Sequence, residues 1–170
     1  MHEGDIPRED RAVEMTETVR ELYDIICSEA STVREDATLR DAIDAILGNA
    51  STTRKAYVVD AEGRLKGAVT MEALMRHVSY RIGARPPGIV SLIRFLREME
   101  SDRVSDFMAR PLPVTMDTKA VDVVRKVVED HLNDFPIVDD EGRLLGELNT
   151  LNLLRAMRGL FHKPPEEGSN

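Results

Sequence analysis

Two acidic stretches carry the densest potential chemistry in this chain. Asp60-Ala61-Glu62-Gly63-Arg64 and Asp139-Asp140-Glu141-Gly142-Arg143 each set carboxylates beside a glycine and an arginine. Clustered oxygen ligands would suit Mg²⁺. The same residues also make a tight turn, with Asp accepting backbone N–H bonds and Gly free to take positive φ. Both readings stand at this level. Two further polar sets follow at matching distances. Thr70 and Arg76 follow Gly67, while Asn149, Asn152 and Arg155 follow Gly146. Thr70 and Asn149 lie where an N-cap side chain bonds the first free amides of a helix. Arg76 and Arg155 then fall on that helix, either facing a ligand or facing solvent.

Other chemistry is absent from the sequence. It holds no Gly-x-Ser-x-Gly, no phosphate-binding Gly-rich loop ending in Lys-Ser/Thr, and no His-Glu-x-x-His. No carboxylate stands in an apolar run that would raise its pKa for acid–base work. The histidines (His2, His77, His131, His162) lack metal-ligand spacing, so no metal site is expected from them. The single cysteine, Cys27, excludes an intrachain disulfide, and its apolar setting, Leu22 to Cys27, reads as an inert buried thiol. Net charge is −8 over 170 residues, which argues against nucleic acid as the main partner. Aromatic residues are 4% and Trp is absent, so stacking platforms for single strands are not expected. The N-terminus has no signal-peptide pattern, and no apolar run approaches the roughly 20 residues of a membrane helix. A cytoplasmic protein without membrane insertion is the expectation.

An internal repeat organises these residues. Tyr57 to Arg76 aligns with Pro136 to Arg155 at an offset of 79, and nine of the 20 positions are identical. Asp36 to Ile43 aligns with Asp117 to Val124 at an offset of 81, which puts two extra residues in the first copy near Gly48 to Thr53. Each copy reads as β-α-β-β-α. The pattern predicts short strands at Thr32-Val33 and Pro113 to Thr115. Helices follow near Thr38 to Leu47 and Lys119 to His131, with Leu39, Ala42, Ile43 and Ile46, and Val121, Val124, Val127 and Val128, at helical spacing. β-Branched runs and a turn then form hairpins, Tyr57 to Thr70 and Pro136 to Asn149, before a last helix from Met71 and from Thr150.

Outside the repeat, Arg11 to Cys27 predicts an amphipathic helix. Tyr80 to Ser101 predicts an insert with a loop at Gly83 to Gly88 and a helix carrying Ile89, Leu92, Ile93, Leu96 and Met99 on one face. Residues 1–10 and the tail from Lys163 predict flexible ends. The expected division is 1–27, tail and helix; 28–79, first motif; 80–103, insert; 104–158, second motif; 159–170, flexible tail.

The repeat unit resembles the CBS domain, named after cystathionine β-synthase. The resemblance rests on Phe135-Pro136-Ile137-Val138-Asp139 with Gly142 to Gly146, on Ala56 to Asp60 with Gly63 to Gly67, where Tyr57 replaces the usual proline, and on Val104 to Met108 leading into the second copy. It covers about two-thirds of the chain. It implies an α/β fold in which the two motifs pack with pseudo-twofold symmetry, extended here by the N-terminal and inserted helices. It further implies a homodimer of such pairs, and clefts that take AMP, ADP, ATP or S-adenosylmethionine. Occupancy would shift an attached or separate effector.

The family's signature is Gly-x-hydrophobic-Thr/Ser-x-x-Asp, often with a base three residues later. Hydroxyl and helix N-terminus would bond phosphate, the carboxylate would accept from the ribose hydroxyls, and the base would match phosphate charge. The first copy keeps Gly67, Thr70 and Arg76 but has Ala73 at the carboxylate position. The second keeps Gly146 and Arg155, with Asn149 for Thr and Asn152 for Asp. Asn152 can still accept through its amide oxygen, so the second site is the better candidate for a ribosyl ligand. The resemblance thus implies a ligand set of Thr70, Arg76, Phe135, Pro136, Ile137, Asn149, Asn152 and Arg155. It implies a non-catalytic sensor with no required cofactor, acting in trans on an unknown effector. The alternatives are a dimerisation or interaction scaffold with silent clefts, and a Mg²⁺ sensor built on the acidic turns.

Overall fold

A computed structural model describes residues 16–48, 54–84 and 92–161. The expected flexible ends and the loop at Arg85 to Gly88 lie outside the described residues. So do most of the first copy's two-residue excess and Val13 and Ile89.

The chain forms α1 (Val19–Ile26), β1 (Cys27–Ser28), β2 (Thr32–Arg34), α2 (Leu39–Gly48), β3 (Lys55–Val59), β4 (Leu65–Thr70), α3 (Met71–Ala84) and α4 (Leu92–Met99). A 3₁₀ turn at Val104–Asp106 follows, then β5 (Val114–Thr115), α5 (Ala120–Asp130), β6 (Asp134–Val138), β7 (Leu144–Asn149) and α6 (Thr150–Phe161). Both copies therefore show the expected β-α-β-β-α order. Local chemistry starts the helices. The Glu21 carboxylate accepts the Thr18 N–H at 2.7 Å ahead of α1, and Asp41 accepts the Thr38 N–H at 2.8 Å ahead of α2. These contacts satisfy amides that have no partner inside the helix. His131, at φ 52°, ends α5 in the left-handed conformation that commonly closes a helix.

Two compact units result, and neither is simply one copy of the repeat. The first gathers the chain up to Ser28, Pro113–Ile137 and the chain from Gly146. Its sheet runs β1-β7-β6-β5. The core holds Leu22, Ile26, Val123, Phe135, Ile137 and Leu148. β1 pairs antiparallel with β7, Cys27 opposite Leu148 and Ser28 opposite Glu147. The second unit gathers Glu29–Leu112 and Val138–Leu145. Its sheet runs β2-β3-β4, with β2 parallel to β3 and β3 antiparallel to β4. Its core holds Leu39, Ala42, Val58, Val69, Leu74 and Met99. Here Ala109, just before the second copy, exchanges backbone bonds with Ala68 of β4 at 2.8 and 2.9 Å. So the segment leading into each copy adds to the last strand of the other copy's hairpin. Gly146 and Gly67 mark the crossings. A Cβ on Gly146 would stand 2.8 Å from the Tyr23 hydroxyl, and one on Gly67 would meet the Met108 side chain.

Several details differ from the sequence expectation. The amphipathic helix expected over Arg11 to Cys27 is helical only over Val19–Ile26 among the described residues, and Cys27 opens β1 instead. The helix that starts at Met71 continues to Ala84, into the segment expected as an insert, and its Arg81 Nε lies 3.5 Å from the Asp102 carboxylate. In α5 the core-facing residues are Ala120 and Val123, with Val124 and Val127 packed beside them, while Val128 is 67% exposed. The apolar stripe is wider than the face that the sheet covers. Ile43 of α2 also sits at the edge, 38% exposed.

Cys27 is half-buried at the start of β1. Burial, reinforced by the nearby Asp24 carboxylate, pushes its thiol pKa up to about 12. Thiolate is the reactive form. The native protein should therefore react with a disulfide reagent such as dithiobisnitrobenzoate at pH 8 far more slowly than the urea-unfolded chain. Equal rates would contradict this placement.

Candidate ligand site

The two acidic turns use their own carboxylates. Asp60 Oδ1 accepts the N–H groups of Glu62 and Arg64 at 3.0 and 2.8 Å, and Asp139 Oδ1 accepts those of Glu141 and Arg143 at the same two distances. Arg143 then reaches Asp139 Oδ2 and Glu141 Oε2, both at 2.8 Å. Gly63 and Gly142 both sit at φ 79°, where a Cβ is strained. The turn tips lock together within the second unit, Leu65 N–H donating to Gly142 O at 2.9 Å and Leu144 N–H to Gly63 O at 3.0 Å. Among the described residues no group of three or more His, Cys, Asp or Glu side chains is placed to share a metal ion.

Desolvation alone would raise the Asp60 and Asp139 carboxyls. The backbone N–H donors together with Lys66 at Asp60 and Arg143 at Asp139 outweigh it, so both lie below the ordinary value of 3.8. A pKa lowered by folding means the ionised form stabilises the native state. That stabilisation is present above pH 3.8 and is lost as pH falls through the lowered values. Urea midpoints should drop below pH 4, and the Asp60→Asn, Asp139→Asn double variant should show a shallower acid limb. An unchanged acid limb would remove the turns from the pH dependence.

The sequence-expected ligand residues divide between the units. Thr70 and Arg76 belong to the second. Thr70 Oγ1 accepts the Ala73 N–H at 3.1 Å, capping α3. Arg76 is exposed and lies 3.3 Å from Glu72 of the preceding turn. Ala73, at the position where the resemblance implies a carboxylate, is buried. Ala73 and Arg76 line a cavity of 330 Å³ with His77, Tyr80 and Asp106–Ala109. Sequence reasoning gave His77 no functional part. Its Nε2 lies 2.7 Å from Asp102 Oδ2, and its ring stacks on Phe107 with centroids 4.6 Å apart. This contact ties the cavity's helical wall to the segment leading into the second copy. Asp102 is distant in sequence and in no motif, so nothing local announced it.

The other six residues belong to the first unit. Asn149 Oδ1 accepts the Leu151 N–H at 2.8 Å, opening α6. Asn152, half-buried one turn on, holds Arg155 Nη1 at 2.9 Å through Oδ1. Phe135 and Ile137 are fully buried in the core, and Pro136 between them is buried. The Phe135 and Ile137 side chains are therefore turned into the core rather than toward a ligand. One neighbour was not anticipated: Glu147 of β7 is also fully buried, at a position where the signature has an unspecified residue. No described helix is long and apolar enough to cross a membrane.

A family model described as CBS domain matches residues 19–80 and 104–159. No curated protein matches the chain. Among solved structures, a CBS domain-containing protein from Thermotoga maritima is 22% identical, with a TM-score of 0.66 over 90% of this chain and 100% of that one. CBSX2 in complex with AMP is 21% identical, with a TM-score of 0.64 over 85% and 98%. A CBS domain protein from Pyrobaculum aerophilum complexed with AMP is 16% identical, with a TM-score of 0.62 over 83% and 95%.

Proposed function

The chain belongs to the CBS domain family, and on that premise we propose that it is a non-catalytic regulatory module whose ligand is an adenine nucleotide or adenosyl compound. The observation that carries this reading is the start of α6. There Asn149, Asn152 and Arg155 follow Gly146 at the signature spacing, with Asn152 Oδ1 and Arg155 Nη1 held 2.9 Å apart. That pair offers a ribose acceptor beside a phosphate-matching cation. AMP in CBSX2 and in the Pyrobaculum aerophilum protein supports the ligand class. AMP, ADP, ATP and S-adenosylmethionine are the candidates, and the first unit is the favoured site. The module requires no cofactor and works in the cytoplasm on an effector, through ligand-dependent populations of its states.

We also propose a homodimer. Val128 of α5 and Leu151 and Leu154 of α6 are 67, 54 and 61% exposed, large apolar side chains that a second copy would cover. A scaffold with silent clefts is the second reading, favoured by the buried methyl of Ala73. Thermal unfolding separates the two. A ligand at about 100 times its Kd stabilises the native state by roughly 2.7 kcal/mol, several degrees in Tm. A rise with at least one adenosyl ligand supports the sensor; no rise with AMP, ADP, ATP or S-adenosylmethionine at millimolar concentration supports the scaffold. Mg²⁺ alone is the control for the acidic turns.

A further inference from the structure

The second unit carries a hollow that the adenosyl reading does not use. α2, α3 and α4 enclose a cavity of 610 Å³. α4 comes from the insert, outside the repeat. Its Phe95 and Met99 enter the core, and the Arg40 amide of α2 donates to Glu100 O just beyond it at 3.2 Å. Leu47, Met71, Met75 and Ile93 nevertheless stay exposed around the hollow. The repeat register says what this surface answers to. Leu47 corresponds to Val128 at the offset of 81, and Met75 to Leu154 at the offset of 79. Both motifs therefore leave the same two helical positions apolar and uncovered, which marks both for burial against protein.

The two faces differ in shape and charge. The first is concave, with α4 as a third wall, and carries Arg40, Arg97 and Glu100. Arg40 Nη1 engages Glu100 Oε2 at 3.1 Å, while Arg97 is exposed and makes no ion pair with a described residue. The second presents Val128, Leu151 and Leu154 as exposed knobs, and Glu129 and Asp130, next to Val128, are exposed carboxylates. Pairing two first faces across a twofold axis would set hollow against hollow, leaving apolar volume unfilled, and would bring Arg97 toward its own copy. Pairing unlike faces fills the hollow and offers Arg97 carboxylates. We propose that the α2/α3/α4 hollow of one protomer receives the α5 and α6 knobs of a second copy, with Ile93 and Arg97 of α4 in the contact, so that unlike motifs meet. This orientation rests on the homodimer reading, and each copy gives and receives once, which closes the dimer.

Sedimentation and crosslinking of the full chain test this. Wild type should sediment as a dimer. Met75→Cys and Leu154→Cys are prepared separately, at positions exposed enough to leave the fold intact, and wild type, with Cys27 alone, sets the background. A short bismaleimide should join the two variants, once mixed and allowed to exchange, at least tenfold more than it joins either variant to itself. Ile93→Glu should weaken the dimer at least tenfold with unchanged circular dichroism. Crosslinks formed as well within each variant alone would overturn the proposal and leave the homodimer standing. A dimer untouched by Ile93→Glu would overturn the part given to α4, and a monomeric wild type would overturn both the orientation and the homodimer. AMP titrations on the same variants read the adenosyl site separately.

Discussion

Replacing Phe135 by alanine should cost about 3–5 kcal/mol of folding stability, the usual range for removing a buried phenyl ring. Phe135 is fully buried and shares its core with Leu22, Ile26, Val123, Ile137 and Leu148, residues drawn from α1, α5, β6 and β7. None of these elements can follow the lost ring without giving up contacts of its own, so the cavity stays open. Domains of this size have only about 5–15 kcal/mol in total, so the variant should lose a large share of its stability. Urea denaturation followed by circular dichroism measures it. A loss under about 1 kcal/mol would mean that the site collapses, and that β6 is not the centre of the first unit. Phe135→Leu keeps most of the volume and should lose much less.

The second large effect is on binding. Asn152→Ala should lower adenosyl affinity at least tenfold, about 1.4 kcal/mol, because it deletes the only side-chain oxygen at the ribose-acceptor position of α6. It also frees Arg155 from its 2.9 Å contact, so the cation proposed to face phosphate loses its positioning as well. Asn152→Asp should do the reverse, since a charged acceptor forms the stronger hydrogen bond. In the other copy Ala73→Asp restores the signature beside Arg76 and His77 and should create or strengthen a site there. Ala73 is buried, so the new carboxylate should also destabilise the ligand-free protein, and added AMP should recover part of that loss. Calorimetric titration of each variant checks these outcomes. Unchanged affinity in all three would move the site away from these helix starts.

What could be read in advance follows from the range of the forces involved. The hairpins were legible because Asp60 and Asp139 bond amides two and four residues on, entirely within their turns. The helix starts at Thr70 and Asn149 were legible for the same reason, since an N-cap bonds an amide two or three residues away. Duplication of the pattern then gave the strand and helix order twice. Pairing between distant segments left no such mark. Nothing local in Cys27-Ser28 says that it joins β7, or in Ala109 that it joins β4. Periodicity placed Val128 on an apolar stripe but could not tell which edge the sheet would cover. The hollow beside α4 depends on how three helices meet, and its Arg40–Glu100 pair joins residues 60 apart. For the candidate site the sequence supplied Arg76, Asn149, Asn152 and Arg155 through spacing. It gave no sign of the His77, Asp102 and Phe107 contacts, which exist only once the chain has folded back.

The central claim is that this CBS chain binds an adenosyl ligand, and the most direct measurement is a calorimetric titration of AMP into the purified wild-type protein. The account predicts saturable heat with at least one site per chain, and loss of that site in Asn152→Ala. A titration flat to millimolar AMP, repeated with ADP, ATP and S-adenosylmethionine to the same result, would contradict it and leave a scaffold whose work is done by its apolar helix faces.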